Sequence, residues 1–194
     1  MGALPTVLEE EELDVIAVAG IDGATKNLGL ARPDGSLVTL NARAGAKDPI
    51  RRLAELERLL WRALELHPPK PDLVVVEGYG LGTPGRLALV RLGEVGGMVR
   101  TTAFRMAAEV VEVSPSSLKR FATGNGAARK EAMIARALEL GAVLSNPEAH
   151  DEADAFHARR LGRMGTGELR PELDHELEVV ASLSWPVFAS RSAS

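Results

Sequence analysis

The chain has 194 residues, with 45% apolar and 26% charged side chains and a formal net charge of −4. This length and composition predict one globular domain with a substantial hydrophobic core. The absence of cysteine excludes disulfides, thiolate metal sites and cysteine nucleophiles, and it agrees with a reducing, cytoplasmic location. No uncharged apolar run approaches the roughly 20 residues of a membrane span, and the acidic N-terminus lacks the basic start of a signal peptide.

The charges are unevenly distributed along the chain. Residues 1–14 contain five acids and no basic residue, whereas residues 115–130 contain four basic residues and no acid. Acidic ends around a mildly basic centre are compatible with a solvated surface, and equally with nucleic-acid binding by the centre. We expect a folded domain over 14–165, a flexible acidic tail over 1–13 and an acidic extension over 166–194.

Three β-strands are predicted at the start of the domain. Residues 15–22 form a short apolar run that ends in Asp22, as a buried strand would. Residues 27–32 and 37–41 flank the turn sequence Pro33-Asp34-Gly35, in which proline presets φ and glycine adopts a positive φ. The second and third strands are therefore expected to form a hairpin.

A helix, a fourth strand and a second helix follow. Asp48-Pro49 is a typical helix start, and leucines recur at helical spacing from there until Pro68-Pro69. Residues 73–77 have the sequence Leu-Val-Val-Val-Glu, which predicts a buried strand with Glu77 at its carboxyl end. The long helix predicted over 86–106 contains three glycines within five residues, which indicates that another backbone approaches closely there.

The last third of the chain is mainly helical. Residues 109–113 predict a fifth strand, and helices are predicted over 115–121, 128–140 and 151–161, the last ended by Gly162. The following segment, about 168–180, is compatible with a peripheral helix or with an added strand. Strands that alternate with helices predict an α/β fold whose sheet carries an antiparallel hairpin at one side.

Four acidic residues are candidates for a site at one edge of this sheet. Asp22 and Glu77 end two apolar strands, and the functional crevice of an open α/β sheet lies at those ends. Asp151 and Asp154 lie three residues apart at the start of a helix, so they share a face. Hard oxygen ligands select Mg²⁺ or Mn²⁺, and paired ions roughly 3.5–4 Å apart support phosphodiester hydrolysis. Taken singly, Asp151 could be a helix N-cap and Asp22 a turn residue.

The residues around these acids resemble the motifs of the RuvC Holliday-junction resolvases. The matching segments occur in the family's order and span residues 15–162. Each segment alone is a weak signal, whereas five segments in this order are specific to the family. The five matching segments are Gly20-Ile21-Asp22-Gly23-Ala24-Thr25 with Gly29 and Ala31, Val75-Val76-Glu77, Leu92-Gly93-Glu94-Val95-Gly96-Gly97, Ser114-Pro115 to Lys130-Glu131, and Asp151-Glu152-Ala153-Asp154-Ala155.

The resemblance implies an RNase H-like fold, with a five-stranded mixed sheet of three antiparallel and two parallel strands flanked by helices. It implies a structure-selective endonuclease that resolves four-way (Holliday) junctions and related branched DNA by paired phosphodiester hydrolysis. The cofactor would be Mg²⁺ or Mn²⁺, two ions per active site. The enzyme would be a homodimer, assembled through the glycine-bearing helix 86–106.

Carried over position by position, the resemblance also assigns roles to single residues. The catalytic, metal-binding acids are Asp22, Glu77, Asp151 and Asp154. Lys119 and Lys130 match the family's two essential lysines, and a lysine near the scissile phosphate offsets transition-state charge. The sequence as a whole predicts a larger DNA-binding set, namely Tyr79, Lys119, Arg120, Asn125, Arg129 and Lys130.

The sequence departs from the family pattern in two places. Gly23 and Ala24 replace the usual proline and glycine of the first turn. The family has a base-stacking aromatic residue three positions after the second acid, where this chain has Gly80. The neighbouring Tyr79 is the candidate to stack on a base in its place, or it packs within the protein.

Three other functions compete with junction resolution. An RNase H-like nuclease acting on RNA, RNA–DNA hybrid or flaps would have the same metal site. An actin-like or sugar-kinase-type phosphotransferase also has an acidic phosphate loop after its first strand, but it needs a second such loop and a longer chain. A DNA-binding dimer without catalysis would not require the complete set of acids.

Overall fold

The computed structural model describes residues 15–23, 27–43, 48–78, 86–106 and 108–188. The strands are β1 (Val18–Gly23), β2 (Asn27–Ala31), β3 (Leu37–Asn41), β4 (Leu73–Glu77) and β5 (Glu109–Val113). The helices are α1 (Pro49–Glu65), α2 (Arg86–Arg105), α3 (Pro115–Thr123), α4 (Lys130–Glu139), α5 (His150–Gly165) and α6 (Asp174–Ala181). None of these helices is long and apolar enough to cross a membrane.

The five strands form one mixed sheet in the order β3-β2-β1-β4-β5. β2 is antiparallel to β1 and β3, whereas β4 is parallel to both β1 and β5. The predicted sheet of three antiparallel and two parallel strands is thus confirmed. The register aligns Asp22 of β1 with Glu77 of β4, so the two side chains leave the same face of the sheet at its carboxyl edge.

Helices cover both faces of the sheet. α1 and α2 pack on one face through residues such as Leu56, Leu60 and Val99. α3 and α5 pack on the other face, where Phe121 and Leu161 are fully buried. Because both faces are covered, the central strands β1 and β4 are apolar up to the acids near their carboxyl ends, which explains their apolar runs in the sequence.

α5 lies very close to the sheet because two glycines face it. A Cβ on Gly20 would lie 2.1 Å from the carbonyl oxygen of Ala155, and a Cβ on Gly29 would lie 1.9 Å from that of Asp151. A real side chain cannot come so near a backbone oxygen, so only glycine permits this approach. The first turn of α5 consequently lies directly over β2, and the turns that follow lie over β1.

The prediction that Gly162 ends this helix is wrong, since α5 continues to Gly165. A Cβ on Gly162 would lie 2.6 Å from Cγ1 of Val18 and 2.7 Å from Cγ2 of Val75. Gly162 is therefore a packing residue that lets the helix contact the sheet. Its helix-propensity cost of about 1 kcal/mol is offset by that contact.

The segment after α5, ambiguous in the sequence, contains the helix α6. Glu176 of α6 is 1% exposed and accepts hydrogen bonds from Arg160 of α5 at 2.5 Å and from the backbone N–H of Glu172 at 2.9 Å. Val179 joins the hydrophobic cluster under α3 and α5. α6 thus packs on the folded domain, whereas the tail predicted over 1–13 lies outside the described residues.

Candidate active site

Three carboxylates converge at the carboxyl edge of the sheet. Asp22 comes from β1, Glu77 from β4 and Asp154 from α5, and one oxygen of each lies within 4.8 Å of the others. The parallel register of β1 and β4 brings the first two together. The close approach of α5 at Gly20 and Gly29 brings the third over the same edge.

The burial of these groups raises their pKa values. Burial, with the charge of Asp154 adding to it, raises the pKa of Glu77 to about 7. Burial likewise raises the pKa of Asp154 to about 6 and, together with the neighbouring acids, holds the pKa of Asp22 well above its ordinary range. Hydrogen bonding with Asp22 acts in the opposite direction and partly lowers the pKa of Glu77.

Asp151, the fourth predicted acid, lies beside this cluster. It is in the first turn of α5 and is not the N-cap of that helix. Its Oδ1 lies 3.1 Å from Nε2 of His150, whose Nδ1 is 2.9 Å from the carbonyl oxygen of Glu148. Its charge adds to the raised pKa of Asp22, but among the described residues Asp151 is not one of the acids whose oxygens lie within 4.8 Å of one another, so it lies at the border of the cluster.

Two lysines face the acids from the neighbouring helices. Lys119 is on α3, and Lys130 is the first residue of α4. The charges of both lysines lower the pKa values of Glu77 and Asp154 and so partly oppose the effect of burial. Neither lysine forms an ion pair with an acid in the part of the chain that the structure describes, so both ammonium groups are available to a phosphate.

The other predicted DNA-binding residues lie mostly around the loop between α3 and α4. Arg120 donates to Glu178 of α6 in an exposed pair, which is worth little and can exchange for another anion. Oδ1 of Asn125 accepts a backbone N–H at 2.9 Å and so shapes the loop, while Arg129 is exposed at the start of α4. Tyr79 lies outside the described residues.

The acid cluster has the donors and the charge that a divalent cation requires. Oδ1 of Asp154 is buried and has no hydrogen-bond partner among the described residues. A buried carboxylate costs several kcal/mol unless it is paired or bound to metal. Oxygen ligands select hard divalent cations, so Asp22, Glu77 and Asp154 fit such an ion.

Sequence reasoning missed one feature next to the acids. A pocket of about 440 Å³ lies beside the first turn of α5, and Asn27, Thr39, Asn41, Asn146 and Asp151 contribute to its wall. The register pairs Asn27 with Asn41 across β2 and β3. The equal spacing of these two amides from the turn of the hairpin is the sequence signal that would have identified them as neighbours.

Comparison with known sequences points to one family. The family model described as "Crossover junction endodeoxyribonuclease RuvC" matches residues 36–158. The RuvC of Carboxydothermus hydrogenoformans is 31% identical over 159 residues, which cover 78% of this chain and 98% of that relative. The RuvC of Anaeromyxobacter sp. (strain Fw109-5) is 34% identical over 163 residues, which cover 78% of this chain and 77% of the relative.

Solved structures share the fold described above. T. thermophilus RuvC in complex with a Holliday junction substrate superimposes with a TM-score of 0.60 at 23% identity, over 77% of this chain and 96% of that chain. A second Thermus thermophilus RuvC structure gives a TM-score of 0.58 at 24% identity, again over 77% of this chain and 96% of that chain. The sheet order and the helices on both faces are those of the RNase H-like fold. With a family match over more than half of its length, the chain belongs to the RuvC family of crossover junction endodeoxyribonucleases.

Proposed function

We propose that this chain is a divalent-metal-dependent, structure-selective endonuclease that resolves four-way (Holliday) junctions and related branched DNA. The observation that carries the proposal is the half-buried cluster of Asp22, Glu77 and Asp154, in a chain of the RuvC family. Lys119 and Lys130 lie beside it, and neither forms an ion pair with an acid among the described residues. The junction bound by the T. thermophilus neighbour agrees with branched DNA as the substrate class. The reaction is paired hydrolysis of one phosphodiester in each of two strands.

The acids are the proposed metal ligands. Asp22, Glu77 and Asp154 supply the central oxygens, and Asp151 completes the set from the first turn of α5. We assign two ions of Mg²⁺ or Mn²⁺ to each site; when bound, they activate the attacking water and stabilise the leaving oxygen. The carboxyls must release their protons to bind a cation, so metal affinity is expected to rise with pH.

The basic residues are the proposed contacts to the DNA backbone. Lys119 and Lys130 lie close enough to the acids to lower their pKa values, so they also lie near the phosphate that is cleaved. There they offset the charge that develops in the transition state. Arg120, Asn125 and Arg129 contact the strand farther from the cut, and Tyr79 stacks on a base.

A second copy of the chain is the proposed partner of α2. Gly97 of this helix faces open space, since a Cβ there would meet nothing within 4 Å. On the same helix Phe104 is 79% exposed, and a groove of about 390 Å³ between α1 and α2 includes Leu53 and Met98. An unpartnered apolar surface of this kind suits a homodimer interface, and a two-fold dimer presents two active sites to one junction.

The domain limits and the location are also proposals. Residues 14–165 are the nuclease domain, with the acidic tail 1–13 and the acidic extension 166–194 attached to it. The absence of cysteine from the sequence favours a location in the reducing cytoplasm.

Cleavage of labelled four-way junction, flap, linear duplex and RNA–DNA hybrid, with and without Mg²⁺, tests the proposed function. We expect metal-dependent paired cuts in the junction. The cleavage rate should fall at least about 100-fold in the Asp22→Asn and Glu77→Gln variants. Both variants should still bind the junction, since they leave the basic residues in place. Asp174→Asn, at an exposed acid of α6, is the matched control. Full cleavage by the site variants, or equal rates on junction and linear duplex, would contradict the proposal.

A further inference from the structure

The pocket beside the acid cluster is a second candidate site. It has about 440 Å³, the size of a small-molecule pocket. The sheet contributes Asn27, Thr39 and Asn41 to its wall, and the loop before α5 contributes Asn146.

The pocket opens on the same face of the sheet as the acids. Asp22 pairs with Gly29 across β1 and β2, and Gly29 pairs with Thr39 across β2 and β3. Directly paired residues point to one face, and so do residues two apart on a strand, which places Asn27 and Asn41 on that face as well. Asp151 lines the pocket, and Asp154, three residues further along α5, belongs to the acid cluster, so the pocket and the acid cluster are adjacent.

The amides of the pocket have unused hydrogen-bonding capacity. The Asn27 side chain makes no hydrogen bond within the part of the chain that the structure describes. That of Asn41 makes one long contact, 3.4 Å from Nδ2 to the carbonyl oxygen of Thr39. Each amide can therefore donate and accept toward a ligand in the pocket.

The charge of the pocket excludes phosphate as its ligand. No lysine or arginine is among its described lining residues, whereas Glu148, Asp151 and Glu152 are. Lys119 and Lys130 lie on α3 and α4, which follow β5 at the other end of the sheet from β2 and β3, where the pocket lies. A DNA strand that crosses the acid cluster thus has lysines for its phosphates at one end and, in the pocket, amides and carboxylates suited to a base and its sugar.

We propose that this pocket binds the base and sugar of a nucleotide that flanks the scissile phosphate, with Asn27 and Asn41 contacting the base edge. Asparagine contacts base edges through paired donor and acceptor groups, so the pocket gives the enzyme a base preference beside the cut. This inference rests on the proposed nuclease function, because a strand cleaved at the acids is what reaches the pocket.

Cleavage of four-way junctions that vary in sequence around the cut tests the pocket. Wild-type protein is expected to prefer one base at a position next to the cut, and Asn27→Ala and Asn41→Ala should each weaken that preference about tenfold. Ser36→Ala, at the far end of the same hairpin, should keep it. If wild-type protein resolves junctions with no base preference, or if both asparagine variants keep the wild-type preference, the inference is wrong while the nuclease function stands.

A binding measurement without metal separates the two proposals. Glu77→Gln protein is mixed in EDTA with a set of junctions, each of which carries 2-aminopurine at one position near the crossover, so that the cut site need not be known. The fluorescence should change on binding, and the added Asn27→Ala change should remove that response while the junction stays bound. A response that survives Asn27→Ala would overturn the pocket assignment. This result decides the pocket even if the wild-type protein cuts no junction, the outcome that contradicts the nuclease function itself.

Discussion

The carboxyl groups of Asp22, Glu77 and Asp154 dominate the electrostatics of the candidate site. Each has a raised pKa, mainly because the fold buries it beside other acids. A group whose folded-state pKa exceeds its unfolded value stabilises the protein fully below the unfolded pKa, and this contribution is lost as the pH rises through the folded pKa. Without metal, the contribution of Glu77 to the free energy of unfolding is therefore lost between about pH 4.5 and about pH 7.

Divalent metal should reverse this loss. Mg²⁺ binds the ionised carboxylates of the folded state, so we expect it to raise the melting temperature more at about pH 8 than at about pH 5. For the same reason Glu77→Gln should stabilise the metal-free protein more at the higher pH. Thermal unfolding in EDTA and in Mg²⁺, at both pH values, measures the effect.

The buried His157 requires that each comparison be made at a single pH. Burial lowers the pKa of this histidine to about 4, so its contribution to stability falls as the pH drops below about 6.5. That trend runs opposite to the trend of the acids.

A Mg²⁺-induced shift in melting temperature that is equal at both pH values would contradict the assignment of the acids as metal ligands.

At the scale of single elements, the position of α5 on the sheet decides whether the site forms. Gly29→Ala would place a Cβ 1.9 Å from the carbonyl oxygen of Asp151 and push the first turn of α5 off β2. We expect a loss of about 2 kcal/mol or more in the free energy of unfolding, since overpacking typically costs about 1–3 kcal/mol. Urea unfolding measures it. Divalent-metal affinity should fall as well, because Asp154 moves with the helix.

Gly23→Ala is the matched control for Gly29→Ala. A Cβ at this position of β1 would lie 3.8 Å from Cγ1 of Val95, an ordinary van der Waals contact, so alanine should raise the free energy of unfolding by up to about 1 kcal/mol. Equal effects of the two substitutions would show that contact with α5 does not determine the requirement for glycine at position 29.

At the scale of the whole molecule, the open face of α2 decides the oligomeric state. A long, charged side chain in a close helix–helix interface prevents the approach of the second helix, so Gly97→Arg should convert the proposed dimer into a folded monomer. Sedimentation velocity reports the conversion, and junction cleavage should change from paired cuts to single nicks. Ala181→Arg, at an exposed position of α6, is the control. A Gly97→Arg protein that remains dimeric would place the interface elsewhere.

The sequence by itself determined the elements and the chemistry of this protein. Apolar runs predicted β1 and β4, and turn residues predicted the β2–β3 hairpin. The acids at the strand ends indicated a metal site with oxygen ligands. These features are local, because each depends on residue type and on spacing within one segment. The order of the five motifs along the chain identified the family, because it combines several such local segments.

Only the tertiary structure decided the features that depend on distances between remote segments. The close packing of α5 made Gly162 an interior helix residue, although a glycine near the end of an apolar pattern indicates a terminus. Burial against α5 made the segment around Glu176 a helix. The orientation of α5 placed Asp154 in the acid cluster and Asp151 at its border, and the strand register brought Asn27 and Asn41 into one pocket. A sequence pattern gives the face on which a side chain lies, but contacts between distant segments set what that side chain meets.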